Sequence, residues 1–121
     1  MERIRRNDYI AQVSNLLGKG EAVVLTGHRR AGKSCILELL AAELSDKGNV
    51  IYIDMENPVN ADLTSFRELS EKIKAGVVEG GRNYVLIDEV QEVKEFEKAL
   101  RYWVKQDGVD VVVTGSNAAM L

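Results

Sequence analysis

The sequence predicts an α/β fold, a three-layer sandwich with helices on both faces of a mainly parallel sheet. Two observations carry that expectation. Four runs of strand length, at residues 22–26, 50–53, 84–87 and 109–113, are apolar nearly throughout instead of alternating, the pattern of strands buried on both faces. Between them lie stretches with apolar residues three and four apart, the spacing of one helix face, so strand and helix alternate and the strands run parallel through helical crossovers.

The elements follow in order. Asn7-Asp8 offers an N-cap, Ile10, Val13 and Leu17 stand at helical spacing, and Gly18 is a stop, which predicts a short first helix. Residues 22–26 form the first strand. Ile36, Leu37, Leu40, Ala41 and Leu44 predict a helix ending near Gly48. A second strand at 50–53 leads through an Asn57-Pro58 turn to a helix with Phe66, Leu69, Ile73 and Val77 on its inner face, closed by Gly80-Gly81. The third strand, 84–87, precedes a helix with Val93, Phe96, Leu100 and Trp103 on one side, and Asp107-Gly108 turns the chain into the fourth strand. There is no internal repeat or low-complexity segment.

A chain of 121 residues forms one domain, and 45% hydrophobic with 29% charged residues is ordinary globular composition. Neither half carries a basic excess and the net charge is -3, so charge does not indicate a nucleic-acid surface. One cysteine, Cys35, cannot form an internal disulfide, and no paired CxxC spacing suggests zinc or redox chemistry. The charged N-terminus is not followed by an apolar stretch, and no run approaches the ~18 residues of a membrane span, so a cytoplasmic protein with no membrane attachment is expected.

In α/β sheets, ligands gather outside the carboxyl ends of the strands. Directly after the first strand stands Gly27-His28-Arg29-Arg30-Ala31-Gly32-Lys33-Ser34, which fits GxxxxGK[ST] at every defined position. Such glycines let successive backbone N–H groups face phosphate oxygens, and the following helix adds its positive dipole end. Phosphate binding with magnesium is the implied chemistry. The cradle runs from Gly27 through His28, Arg29, Arg30, Ala31 and Gly32 to Lys33, Ser34 and Cys35, with the Lys33 ammonium on the β- and γ-phosphates and the Ser34 hydroxyl on magnesium. The plainer alternative is a glycine-bearing turn with an exposed lysine. Arg29 and Arg30 suit phosphate, a neighbouring subunit, DNA or a structural ion pair equally, and Cys35 suits a small buried apolar role.

The third strand runs into Asp88 and Glu89. Two carboxylates at a strand end need a partner, and magnesium is one: Asp88 would hold the ion, mostly through water, and Glu89 would polarise the water that attacks the γ-phosphate. Alternatively both cap the following helix. The fourth strand ends in Thr114-Gly115-Ser116-Asn117, where Asn117, or else Thr114 or Ser116, would hold the attacking water or sense the γ-phosphate; an ordinary turn is the other reading. Asp54 and Glu56, after the second strand, read as an exposed loop. Phe66, Phe96 and Trp103 read as core.

Taken together, Thr26-Gly27, Arg29-Arg30, Gly32-Lys33-Ser34, Ile87-Asp88-Glu89-Val90-Gln91 and Thr114-Gly115-Ser116 resemble the AAA-type P-loop ATPases, in particular a bacterial and archaeal group with a GxRRxGK[ST] loop and a DExQ segment. The resemblance runs from about Arg6 to Leu121, with His28 where that group more often has proline. It implies Walker A roles for Lys33 and Ser34, Walker B roles for Asp88 and Glu89, and a first sensor at Ser116 or Asn117. It also implies a core ordered 5-1-4-3-2 followed by a helical lid, an arginine finger and a nuclease-like domain. Residues 1–121 would then be a single N-terminal part of such a domain, with strand order 1-4-3-2 and no fifth strand.

ATP hydrolysis coupled to conformational change is the function expected. A kinase must exclude water, and a glutamate placed to activate water argues for hydrolysis. No Asn-Lys-x-Asp segment reads guanine. A nucleotide-dependent interaction switch with little turnover is the reading from another class. The expected partners are ATP, a second copy of the chain through the edge of the first strand, and a DNA or protein target engaged through a further C-terminal region.

Overall fold

The computed structural model describes residues 11–25 and 33–115, apart from the side chains of Lys33 and Ser34. Residues 11–16 are helical, and the elements after them are β1 (Val23–Leu25), α1 (Lys33–Leu44), β2 (Asn49–Asp54), α2 (Phe66–Gly76), β3 (Asn83–Asp88), α3 (Phe96–Trp103) and β4 (Val109–Thr114). All strand pairs are parallel and the sheet order is β1-β4-β3-β2.

Strand side chains alternate between two apolar layers, one on each face. Tyr84 and Leu86 of β3 and Val112 of β4 pack with Val13 and with Ile36, Leu37, Leu40 and Leu44 of α1. Val85, Ile87, Val111 and Val113 face Leu69 and Ile73 of α2 and Phe96, Ala99, Leu100 and Trp103 of α3. The sandwich therefore has three layers, as the uninterrupted apolar runs predict for the two central strands. The flanking strands depart from that expectation. In β1 the middle residue, Val24, is 43% exposed, and most of β2 is only half-buried. Each pairs on one side only among the described strands, so each shows part of its surface to solvent.

A second departure concerns the third helical stretch. Val93 does not lie on a helix with Phe96. It ends a short 3₁₀ turn, Val90–Glu92, and the chain then extends so that Lys94 bridges the segment before α2: Lys94 N donates to Thr64 O at 2.9 Å and Phe66 N to Lys94 O at 2.9 Å. Helix α3 starts only at Phe96, after Glu95 with φ 57°. Val93 is buried all the same. Helix α2 begins where the Ser65 N–H and hydroxyl both donate to Glu68 Oε1, at 2.9 and 2.5 Å, satisfying groups that the first turn leaves open. Pro58 opens another 3₁₀ turn, with the Asn57 side chain accepting from Val59 N.

The amino-terminal rim of the sheet is held by polar groups. Asn83 is buried; its Oδ1 accepts from Val78 N at 2.8 Å and Asn49 Nδ2 at 2.9 Å, and its Nδ2 donates to Val78 O at 2.9 Å and Gly81 O at 3.2 Å. Asp110, a charge inside the fourth apolar run, is also buried and is paired with Arg82 and with the Gly18 N–H. Gly108 sits here at φ 76°, and a Cβ on it would stand 2.8 Å from Gly81 O, so this turn requires glycine.

Candidate nucleotide site at the carboxyl rim

Parallel register brings the strand ends together on the opposite rim: Leu25 pairs with Thr114, Ile87 with Val113, and Asp54 with Asp88. Helix α1 begins at Lys33, so Lys33 and Ser34 open the helix that follows β1. Gly27, His28, Arg29, Arg30, Ala31 and Gly32 lie outside the described residues, as do Thr26, Ser116 and Asn117. Cys35, in the first turn of α1, is half-buried and unpaired.

Asp88 and Glu89 are both buried, at 3% and 7% exposure. Thr114, fully buried at the end of β4, donates its hydroxyl to Asp88 Oδ1 at 2.5 Å and accepts from Glu89 N at 2.9 Å. Glu89 adopts φ 58°, ψ 54°, left-handed backbone that costs a non-glycine residue on the order of 1–3 kcal/mol. Its carboxylate accepts from Gln91 Nε2 at 2.5 Å. It stands at the N-cap position of the 3₁₀ turn but makes no side-chain cap bond to it, and α3 starts seven residues later.

Around this pair the local field is negative. Tyr52 of β2, on the α1 face, has its phenol pushed far above the ordinary tyrosine value, chiefly by burial and then by Asp88, Glu38 and Asp54. Glu38 lies one turn along α1 from Ser34, so Tyr52 feels charge from that helix as well as from the strand ends. Asp54 is half-buried; its Oδ1 accepts from Glu56 N at 2.9 Å, an Asx turn that shapes the loop after β2. Among the described residues no three His, Cys, Asp or Glu side chains are grouped to hold a metal. A buried oxygen donor at a strand end, beside a second carboxylate, suits a hard cation that keeps most of its water.

The sequence names Gln91 only within the DExQ segment and Thr114 only as an alternative to Asn117 for sensing phosphate; neither pattern shows that Gln91 bonds Glu89 or that Thr114 links two strand ends. A hydroxyl at the end of an apolar strand marks such a link only once the strand order is known.

A family profile described as an AAA domain matches residues 19–121. The chain belongs to that family. An uncharacterised protein of Haemophilus influenzae is 30% identical over 125 residues, covering 98% of this chain and 31% of its own. The cytochrome c biogenesis ATP-binding export protein CcmA of Rhizobium etli is 47% identical over 47 residues, 38% of this chain and 22% of its own. The structure of PCH-2 from C. elegans superposes with a TM-score of 0.62 at 16% identity, covering 91% of this chain and 36% of that one, which shows the shared fold. The chain thus spans less than a third of the length of these curated relatives. The AAA domains are a family of P-loop ATPase fold, and the sheet order β1-β4-β3-β2 matches that fold. Among the described residues no helix is long and apolar enough to cross a membrane.

Proposed function

We propose that this AAA domain binds ATP with magnesium and hydrolyses it, and that the cycle drives a conformational change in the protein that carries it. One observation supports the reading most: Thr114 joins Asp88 to the backbone of Glu89 at the strand ends, on the same rim where β1 ends at Leu25, and the helix after β1 opens with Lys33 and Ser34. Buried carboxylates and left-handed backbone are costly, and both concentrate where chemistry needs them.

In this reading the 27–32 loop and Lys33 hold the phosphates. Ser34 and Asp88 would hold magnesium, which would supply neutralisation of phosphate charge. Glu89 takes a proton from water as the water oxygen bonds the γ-phosphorus; the bond to the β–γ bridging oxygen breaks, and ADP and inorganic phosphate leave. Asn117 or Ser116 would touch the γ-phosphate. Assembly of copies side by side is part of the same proposal.

The test is Mg-ATP binding by calorimetry in the full-length protein. Lys33→Ala removes the one full positive charge that the motif directs at the terminal phosphates, and affinity should fall at least tenfold, or ~1.4 kcal/mol. Unchanged affinity would remove the phosphate-loop assignment.

A further inference from the structure

Gln91 stands two residues beyond Glu89 in the 3₁₀ turn, and its side chain reaches back so that Nε2 donates to Glu89 Oε1 at 2.5 Å. The other half of the amide, Oε1, is buried with no hydrogen-bond partner. Turning the amide end for end would set that oxygen against a carboxylate oxygen, so the orientation is dictated by Glu89 and holds even though it leaves a buried acceptor unserved. Both ends of the contact are fixed by backbone. Val90 and Val93, on either side of Gln91, are sunk in the core, and the turn is closed by Glu92 N to Glu89 O at 3.1 Å and Val93 N to Val90 O at 3.0 Å. Glu89 is tied through its N–H to Thr114. A carboxylate on a left-handed residue, gripped by an amide on a clamped turn, has little freedom to rotate.

We propose that Gln91 is a positioning residue for hydrolysis: its amide occupies Oε1 of Glu89 and aims the carboxylate, leaving Oε2 to take the proton of the attacking water. The assignment rests on Glu89 being the base. A purely structural role for Gln91 would cost stability in every background; an aiming role costs turnover only while there is a base to aim.

The experiment measures steady-state ATP hydrolysis and Mg-ATP affinity in the full-length protein for Gln91→Ala, Glu89→Gln and the double variant. Gln91→Ala should lower kcat about tenfold or more with affinity within about twofold, and should change the Glu89→Gln enzyme by less than about twofold. If Gln91→Ala does not fold by circular dichroism, Gln91→Met, similar in length and without the donor, takes its place. Wild-type turnover in the Gln91 variant overturns the inference, as does faster turnover, which would mean that the amide restrains Glu89, or an equal loss in both backgrounds. Full activity in Glu89→Gln, or none in the wild type, overturns the reading beneath it as well. A slowed Glu89→Gln beside an unaffected Gln91→Ala sinks the positioning role alone.

Discussion

The hydroxyl of Thr114 is hydrogen-bonded to Asp88 on the neighbouring strand, donating to Oδ1 at 2.5 Å while it accepts the Glu89 N–H at 2.9 Å. One side chain thereby sets the rotamer of one carboxylate and the backbone of the next. Both carboxylates belong to β3 and the turn after it, yet their placement is decided from β4.

Thr114→Val keeps the shape and removes both bonds. Because the groups left behind are buried, urea denaturation should show a loss of about 1–3 kcal/mol. Thr114→Ser, which keeps the hydroxyl, should recover most of it. A valine variant as stable as the wild type would show that the bridge contributes nothing.

Glu89→Gln preserves size while removing the carboxylate. In the full-length protein ATP should still bind, and hydrolysis should slow ~100-fold or more. A rate equal to that of the parent would mean that Glu89 is not the base.

Asn83→Ala deletes the four hydrogen bonds at the far rim. Losses of this kind are on the order of 2–4 kcal/mol, because the Val78 N–H and the Asn49 amide lose buried partners. Thermal unfolding should fall accordingly. Nucleotide affinity, which the proposed function sets at the opposite rim, should not change in the folded variant.

Tyr52 supplies a pH dependence. Its folded pKa is raised, first by burial and then by Asp88, Glu38 and Asp54, so folding favours the neutral phenol. That contribution is fully present below the ordinary tyrosine value and is lost as pH rises toward the raised one. Ultraviolet absorbance should show a tyrosine phase ionising well above the ordinary tyrosine value, absent in Tyr52→Phe. Ionisation of Tyr52 near its ordinary value in the folded protein would contradict the burial and the field together.

Strand β1 pairs with β4 alone among the described strands, and it is short, apolar and free of charge. Such an edge recruits other chains. The isolated 121-residue polypeptide should self-associate in light scattering at ~100 μM, a range where exposed edges commonly aggregate. A clean monomer would show that the edge is covered.

Local pattern decided much of this protein. Period and punctuation located the four strands and the two longer crossover helices, because an apolar face repeats at fixed spacing whatever its partner is. The two adjacent carboxylates at the end of the third strand could likewise be read from residue types, since that rim is where a parallel sheet gathers its chemistry.

The rest belongs to contacts between distant segments, which no local period records. Val93 keeps the helical spacing to Phe96 and Leu100, but Lys94 is drawn into a bridge beside Ser65 and breaks the helix before it can start. Asp110 interrupts an apolar run and is tolerated inside because Arg82, far away in sequence, supplies its counter-charge. The sheet order came from resemblance, not from periodicity, and that order alone sets Thr114 against Asp88. The sequence by itself determined which segments are strands and that helices cross between them, and it set two adjacent carboxylates at the end of the third strand. The tertiary structure decided how Glu89 is held, since a buried carboxylate can only be oriented by donors that the fold brings to it from another strand or from the turn it has just closed.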